Sequence, residues 1–263
     1  EFMYHALRQG LKYQSYDPIC CSGENCSTLH YVKNDEDIET RRSVLIDAGA
    51  EWECYASDVT RCFPINGDWL KEHLEIYNIV LKMQHETMKL IRPGAHWDDI
   101  HLHAHKVLIK EFLKLGIFKE EYSVETLFKA KASARFFPHG LGHLLGMDTH
   151  DVGGHPNYSD LDPLLQYLRL RRPLQTGMVL TDEPGVYFSP FLLDDVLKGE
   201  NAKYINKDVL DKYWYIGGVR IEDDLLITED GFENFTGITS DPHEISKIVK
   251  EGLAKGKEGF HNV

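Results

Sequence analysis

The sequence predicts an α+β domain, on three observations. Apolar strands and amphipathic helices follow one another in mixed order instead of alternating regularly. Two consecutive apolar stretches can pair as a hairpin, which places antiparallel strands side by side. No short tandem repeat or low-complexity linker divides the 263 residues, which are enough to bury one large core. We therefore expect one large domain over residues 1–249 and a flexible tail over residues 250–263.

The charge balance limits the kinds of partner. Asp and Glu number 42 against 29 Lys and Arg, which gives a net charge of −13. Such an acidic surface disfavours nucleic acid and anionic membranes, whereas a small molecule or a peptide is easier to accommodate. No apolar run approaches the roughly 18 residues that a membrane helix needs, and the N-terminus lacks a signal-peptide pattern. We expect a soluble, cytoplasmic protein.

The cysteines favour a reduced state. Their number, five, is odd in a chain large enough to fold without disulfides. Cys20, Cys21 and Cys26 could suggest a zinc site, but their spacing is not that of a paired C-x-x-C motif. Filling of small apolar spaces is the better interpretation.

The two ends of the chain have simple patterns. Residues 2–11 are expected to be partly helical, and residues 28–31 to form a short strand that carries His30. Asp241 precedes Pro and Glu in the order that begins a helix, so a last helix is expected there. The glycines and lysines from Lys250 onward predict that this helix frays.

The first chemically informative stretch is the hairpin. Val44-Leu-Ile reads as a buried strand, and a second strand leads through Val59. A turn centred on Trp52 and Glu53 would place Asp47 opposite Asp58, with Cβ atoms about 4.5–5.5 Å apart. Two carboxylates that close repel each other unless a cation lies between them. A turn aspartate plus a solvated surface aspartate remains the alternative.

Two helices follow the hairpin. The first can begin at Asp68 and stop before Pro93, and the second carries a buried stripe and ends at Gly116. His101 and His105 lie four residues apart on one face of the second helix. A metal could use that spacing, but no carboxylate pattern accompanies it, so an exposed helix face is the better interpretation.

A glycine-rich stretch then carries three histidines. Residues 136–146 are rich in glycine, which lets backbone approach another group closely. His139, His143 and His150 fall within twelve residues, which is unusual for a core alone. A loop with incidental histidines remains the alternative.

Two later strands supply more carboxylates. The apolar strand of residues 178–181 delivers Glu183 just before Pro184 and Gly185 end it. Residues 218–227 alternate like one strand, with Arg220 and Glu222 on the same face. That face suits either a site or a solvated ion pair.

Together these residues match a two-metal site. Four carboxylates balance two divalent cations, and oxygen-rich ligation favours manganese, although cobalt or zinc could also bind. The candidates are Asp47, Asp58, His143, Glu183 and Glu222.

The motifs resemble those of the proline-specific metallopeptidases, prolidase and aminopeptidase P. That family has the pita-bread (creatinase/aminopeptidase-like) fold, and the similarity runs in order from about residue 13 to residue 245. The matching segments are Leu45-Ile-Asp-Ala-Gly, Ala56-Ser-Asp-Val-Thr-Arg, Pro138-His-Gly-Leu-Gly-His, His150-Asp-Val-Gly-Gly, Glu183-Pro-Gly and Val219-Arg-Ile-Glu-Asp-Asp.

The resemblance implies a role for each metal ligand. Asp47 and Asp58 would bind metal, with Asp58 bridging the two ions. His143 would bind one ion, and Glu183 the other while also passing a proton. Glu222 would bridge both ions.

The resemblance also implies a substrate pocket. His30, His139 and His150 match pocket residues, and His139 and His150 would stabilise the oxyanion that forms during hydrolysis. Arg220 would orient and charge-balance the bridging glutamate. Arg169 matches the prolidase arginine that holds the carboxylate of a dipeptide. A solvated basic run is the alternative for Arg169.

The function implied is a manganese-dependent Xaa-Pro dipeptidase. Arg169 and the insertion over residues 188–217 both resemble eukaryotic prolidase. The alternatives are an aminopeptidase P acting on longer peptides and an inactive peptide-binding relative. Family members usually carry a separate N-terminal domain, so we expect this chain to begin within the catalytic domain and to form a homodimer at full length. Asp182 departs from the apolar residue usual before the ligand glutamate and could raise neighbouring pKa values or point away.

Overall fold

The chain forms helices and small antiparallel sheets in mixed order. The computed structural model describes residues 1–38 and 41–260, with side chains up to residue 256. The helices are α1 (Phe2–Arg8), α2 (Lys71–Met88), α3 (Trp97–Leu115), α4 (Val124–Lys129), α5 (Pro190–Lys198), α6 (Lys207–Leu210) and α7 (Pro242–Phe260). The strands are β1 (Tyr13–Gln14), β2 (Ile19–Ser22), β3 (Ser43–Asp47), β4 (Ala50–Glu51), β5 (Thr60–Pro64), β6 (Val179–Asp182), β7 (Gly185–Tyr187), β8 (Gly218–Arg220), β9 (Asp223–Ile227) and β10 (Phe232–Asn234).

Within the described residues, the strands pair in four small sheets. One has the order β2-β3-β5 and another β10-β9-β6, while β1 pairs with β4 and β7 with β8. All of these pairs are antiparallel. The α+β prediction is therefore confirmed, and strand ends from different sheets can meet at one place.

Helices α2 and α3 pack against each other and close the core. Their apolar residues recur every three to four positions, so Ile76, Val80 and Met83 on α2 are buried together with Phe112 on α3. Gly116 ends α3 with a φ of 82°, the left-handed conformation that glycine adopts without strain. Helix α2 begins three residues later than the predicted start at Asp68.

The prediction of an exposed face for His101 and His105 is wrong. Both side chains are 0% exposed. His105 contacts the hydroxyl of Ser133 through Nδ1 at 3.0 Å, and burial lowers its pKa well below the usual range. Polar residues at this spacing looked like a solvated face because their partners lie far along the chain.

The predictions for the chain ends need correction. Residues 28–31 form no strand, and β2 lies earlier instead, where it pairs with β3. Helix α1 ends at Arg8, before the predicted position. Helix α7 continues to Phe260, although Gly256 interrupts it with a φ of 64°. Residues 250–260 are assigned as helix on both sides of this kink, and residues 261–263 lie outside the described part of the chain, so the flexibility of the segment stays a prediction.

Two further expectations, on the cysteines and on membrane helices, can be compared with the structure. All five cysteines are free thiols, as expected. Within residues 1–38 and 41–260, no helix is both long and apolar enough to cross a membrane.

Candidate active site

The hairpin brings Asp47 and Asp58 together, but in a different register from the predicted one. Trp52 pairs with Tyr55, and the turn residues Glu53 and Cys54 have positive φ values of 50° and 68°. The turn is therefore centred one residue later than predicted, so each cross-strand partner changes by two residues and Asp47 lies opposite Thr60. Asp58 lies just before β5 and still reaches Asp47 across the hairpin.

A tyrosine hydroxyl marks the point where these two carboxylates converge. The Tyr16 Oη lies 2.5 Å from Oδ1 of Asp47 and 2.5 Å from Oδ1 of Asp58. The approach depends on Gly49, because a Cβ there would lie 1.6 Å from the carbonyl oxygen of Ser57. The glycine of the Asp-Ala-Gly segment therefore allows the two limbs of the hairpin to meet.

Glu183 and Glu222 come from two other sheets. Glu183 follows β6, and its N–H donates to the carbonyl of Leu141 at 2.8 Å. Glu222 lies between β8 and β9, where its N–H donates to the carbonyl of Thr60 at 3.1 Å. The single strand predicted for residues 218–227 is thus interrupted at the ligand, since β8 pairs with β7 and β9 with β6.

His143 directs its Nε2 at the carboxylates, and its neighbours Asp58 and Glu183 raise its pKa against the effect of burial. Its Nδ1 lies 3.0 Å from the carbonyl oxygen of Leu144, which fixes the hydrogen on Nδ1. Its Nε2 then faces Asp58 Oδ2 at 3.4 Å and Glu183 Oε1 at 3.5 Å. Gly142 permits this depth, because a Cβ there would lie 1.9 Å from the carbonyl oxygen of Thr181.

These donors fit metal ions chemically. In the part of the chain that the structure describes, Asp58, His143 and Glu222 each offer a ligand atom within 4.8 Å of the others, and all three are buried. Glu183 and Asp47 adjoin them, so four carboxylates and one imidazole form a group that we call the ligand cluster.

The electrostatics of the ligand cluster call for added positive charge. Burial is the main reason why the pKa of Glu183 rises to about 7. Burial and the charge of Asp58 raise the pKa of Glu222 well above its usual range, and burial also raises that of Asp58. Burial opposes ionisation of Asp47 as well, but the charge of Arg220 and the hydrogen bonds from Tyr16 and Arg220 together lower its pKa. Divalent ions would let all four carboxylates ionise.

Arg220 supports the ligand cluster differently from the expectation. It pairs with Asp47 Oδ2 at 2.6 Å, not with the glutamate. Its Nε donates to the hydroxyl of Thr60 at 3.1 Å, and that hydroxyl donates to Glu222 Oε2 at 2.7 Å. Arg220 therefore charge-balances an aspartate directly and orients Glu222 only through Thr60.

His139 is fixed by hydrogen bonds on both ring nitrogens. Its Nδ1–H donates to the carbonyl of Gly140 at 2.8 Å, so its Nε2 accepts from the hydroxyl of Tyr187 at 2.9 Å. That hydroxyl also accepts from Arg220 at 2.8 Å. Burial lowers the pKa of His139 to about 3, so the ring is neutral. Glu183 lies 3.7 Å from Nδ1.

His30 and His150 lie at the mouth of the pocket. Both are exposed and line a cavity of about 200 Å³ together with the ligand cluster. The ring of His150 meets that of His143 edge-on, with centroids 4.5 Å apart. Desolvation and the neighbouring His143 lower the pKa of His150 to about 3, which keeps this ring neutral.

The three arginines after the histidine loop have different surroundings. Arg171 pairs with Asp98 at 2.7 Å and with Asp160 at 2.9 Å. Arg172 donates to the carbonyl of Gly153 at 3.1 Å. Arg169 lines the pocket, and its only hydrogen-bond partner among the described residues is the hydroxyl of Tyr158 at 3.3 Å. We call residues 158–172 the arginine arm.

Asp182 points away from the ligand cluster. Its carboxyl group contacts the hydroxyl of Thr87 on α2 at 3.0 Å, and its side chain is 0% exposed. Burial raises its pKa well above the usual range. Of the two alternatives that the sequence left open, the geometry favours the one in which Asp182 anchors β6 to α2.

Sequence reasoning missed three residues that support the site. Tyr16 and Tyr187 carry no local motif, and each reaches its partners across 31 or more positions. Thr60 did carry a signal, because it belongs to the Ala56-Ser-Asp-Val-Thr-Arg segment. The structure was needed to show that its hydroxyl links Arg220 to Glu222.

Comparison with known proteins identifies the family. The model for metallopeptidase family M24 matches residues 1–229. The chain belongs to the M24 family. Relatives and solved structures agree with this assignment and with the pita-bread fold.

Three M24 relatives illustrate the similarity. The uncharacterized peptidase YFR006W of Saccharomyces cerevisiae is 59% identical over 99% of this chain and 49% of its own length. A probable Xaa-Pro aminopeptidase of Botryotinia fuckeliana is 50% identical over 95% of this chain and 54% of its own. A histidine-to-alanine variant of Escherichia coli aminopeptidase P superposes with a TM-score of 0.78 and 36% identity, covering 96% of this chain and 51% of that one. The chain thus spans about half the length of these relatives.

Proposed function

We propose that this M24 protein hydrolyses the bond before proline in Xaa-Pro substrates, using two divalent ions. The observation that carries this proposal is the convergence of Asp58, His143 and Glu222 within 4.8 Å, with Asp47 and Glu183 beside them. This donor set is complete, which argues against an inactive peptide-binding relative. The M24 relatives named Xaa-Pro aminopeptidases support the bond specificity.

Manganese is the ion that we propose, because four of the five donors are carboxylates. Cobalt or zinc would also be tolerated by one imidazole and several oxygens. Asp47, Asp58, His143, Glu183 and Glu222 would hold the ions. When bound, such ions provide a nucleophile at neutral pH and polarise the scissile carbonyl.

Separate side chains are proposed for proton transfer, for binding of the substrate carbonyl and for positioning. Glu183 is placed to pass a proton to the departing proline nitrogen, because its carboxylate lines the pocket and lies 3.5 Å from Nε2 of His143. His150 is exposed at the pocket mouth and is placed to donate to the substrate carbonyl. The expected oxyanion role of His139 is less well supported, since both its nitrogens are already engaged. We propose that His139 instead keeps Tyr187 and Glu183 in position.

Arg169 favours a dipeptide as substrate. The guanidinium of Arg169 lines the pocket with one hydrogen bond, to Tyr158, and has no carboxylate partner among the described residues, so it can bind a terminal carboxylate through two parallel hydrogen bonds. His30 lies at the same mouth. In a tripeptide the proline carboxylate is an amide, which cannot pair with this charge. Neighbouring Arg171 and Arg172 are engaged elsewhere, which argues against a simple solvated run.

Proline release tests the proposal directly. Gly-Pro and Gly-Pro-Ala would each be incubated with the full-length protein, with manganese and with chelator. We expect manganese-dependent cleavage of Gly-Pro alone. Cleavage of the tripeptide would move the assignment to aminopeptidase P, the activity named in the Botryotinia fuckeliana relative. Cleavage of neither, with no metal bound, would favour the inactive peptide-binding alternative.

The cytoplasmic location remains a prediction from the sequence pattern, and the homodimer remains a prediction from the resemblance. The homodimer would be checked by light scattering on the full-length protein, with a mass of twice the chain as the expected result. Fractionation of the source cells would check the location.

A further inference from the structure

A buried histidine lies where the two halves of the site meet. His101 is 0% exposed in α3 and does not line the pocket. The N–H of Leu141 donates to its Nδ1 at 3.2 Å, and its Nε2 lies 2.5 Å from the carbonyl oxygen of Leu164. A backbone N–H can only donate, so Nδ1 is the acceptor and the ring hydrogen is on Nε2. Both nitrogens are therefore used, and the tautomer is fixed.

The Nδ1 bond holds the loop that carries two pocket histidines. Leu141 lies between His139 and His143, and its carbonyl accepts the N–H of Glu183 at 2.8 Å. One residue is thus held by His101 on its N–H side and by a ligand-cluster glutamate on its carbonyl side. Loss of the first bond would let the loop shift relative to β6.

The Nε2 bond holds the arginine arm. Leu164 is 3% exposed and lies five residues before Arg169. The arm packs on the same loop at Gly140, where a Cβ would lie 3.1 Å from the Cα of Leu168. With so little space between arm and loop, the two bonds of one imidazole set their separation.

We propose that His101 is a positioning residue that couples the ligand cluster to the arginine arm. It touches neither substrate nor metal and acts only through the backbone of Leu141 and Leu164. The loop contact controls metal affinity and turnover, and the arm contact controls binding of the substrate carboxylate. This inference rests on the proposed function, because it assigns the arm to substrate and the ligand cluster to metal.

Two substitutions separate the two contacts. His101→Gln retains an N–H near the position of Nε2 but lacks an acceptor near Nδ1. His101→Asn retains an acceptor near Nδ1 but does not reach Leu164. Manganese affinity would be measured by calorimetry, Gly-Pro binding by KM and turnover by kcat, all on the full-length protein.

We expect the two His101 variants to change different quantities. His101→Gln weakens manganese binding about fivefold and lowers kcat, with KM for Gly-Pro unchanged, because one neutral hydrogen bond is lost. His101→Asn raises KM about fivefold and leaves manganese affinity unchanged. The matched control is His105→Gln, since His105 is equally buried on the same helix and packs edge-on against His101, but hydrogen-bonds to Ser133 and not to Leu141 or Leu164. It lowers the melting temperature without changing either parameter.

Several results would overturn the coupling role. The first is a parallel change in manganese affinity and KM in both His101 variants. The second is the appearance of the same changes in His105→Gln. The third is failure of His101→Gln to fold, which would leave His101 only a role in stability. Failure of the proposed function looks different. In that case the unsubstituted protein binds manganese but releases no proline. The role of His101 is then decided by the manganese affinities of the variants and by their affinities for Gly-Pro, measured by calorimetry in place of KM.

Discussion

The ligand cluster and the arginine arm face the same pocket but are held by different forces. The cluster is held largely by backbone hydrogen bonds, since Asp47 ends β3 and the N–H groups of Glu183 and Glu222 donate to the carbonyls of other segments. The side chains of Asp58 and His143 are only 7% and 2% exposed. The arm has no helix or strand between residues 158 and 172 and is held by side-chain ion pairs such as Arg171 with Asp98 and Asp160.

From this difference we expect the ligand cluster to govern the rate of hydrolysis and the arginine arm to govern the choice of substrate. Groups that must share two ions need a rigid support, because small displacements cost much of the rate. A loop that reads the end of a substrate can change without disturbing that support. We therefore expect changes in the ligand cluster to abolish turnover and changes in the arm to alter which substrate is used.

The strongest test of this contrast is Glu222→Gln. An amide cannot supply the charge of a bridging carboxylate, so we expect kcat for Gly-Pro to fall by more than about a hundredfold. Proline release and bound manganese would be measured together. Glu233→Gln makes the same exchange at an exposed position of β10 and should be neutral. Unchanged hydrolysis in Glu222→Gln would refute the two-metal proposal.

On the arm, Arg169→Lys should act on substrate binding alone. Lysine keeps the charge but loses the two parallel hydrogen bonds, so KM for Gly-Pro should rise about ten- to a hundredfold while kcat stays similar. Steady-state kinetics on Gly-Pro would show this. Arg172→Lys is the matched control, because Arg172 donates to Gly153 instead. Equal KM values for the two variants would count against the carboxylate clamp.

Between the two regions, Tyr187→Phe should have an intermediate effect. The substitution removes the hydroxyl that joins His139 to Arg220, which leaves buried polar groups unsatisfied, so kcat should drop about tenfold. Tyr213→Phe serves as the comparison, since its hydroxyl bonds to Glu75 outside the pocket. If both variants lose activity to the same extent, the loss reflects stability and not the link to His139.

Metal removal should have the smallest effect, on stability. Each ion, at a hundred times its dissociation constant, stabilises the folded state by about 2.7 kcal/mol, or about 5 to 10 °C in Tm for a chain of this size. Thermal melts with manganese and with chelator would measure it. The Glu222→Gln variant should show a smaller gain.

The pH dependence of that gain follows from Glu183. Its folded pKa of about 7 lies above the unfolded value of about 4.3, so in the metal-free protein its protonated form favours folding at low pH. This contribution is lost as the pH rises from about 5 through 7. Bound ions make the ionised form favourable, so the gain in Tm on adding manganese should be larger at pH 8 than at pH 5. A gain that falls with rising pH would contradict this assignment.

Much of the site could be predicted because its motifs are local. Asp47, Glu183 and Glu222 end or adjoin strands that can be read from apolar runs. Asp58 lies two residues before β5, and His143 lies in the glycine-rich loop. The structure brings all five to one cavity. The roles assigned to them remain predictions until they are tested.

The errors have a common origin in contacts distant along the chain. A hairpin register depends on which turn residues adopt positive φ, and the sequence did not distinguish a turn at Glu53 and Cys54 from one centred a residue earlier. His101 was placed on an exposed face because Leu141 and Leu164, its partners, lie 40 and 63 positions away.

By itself, the sequence determined the class of fold, the family and the kinds of ligand atom. These follow from periodicity, glycine positions and motif order, all of which are local. Only the tertiary structure decided that Arg220 pairs with Asp47, that Arg171 pairs with Asp98 and Asp160, and that His101 is buried. The pairing and burial of these side chains depend on groups that are distant in sequence and become buried next to each other. A buried charge or imidazole is stable only beside the partner that the fold supplies.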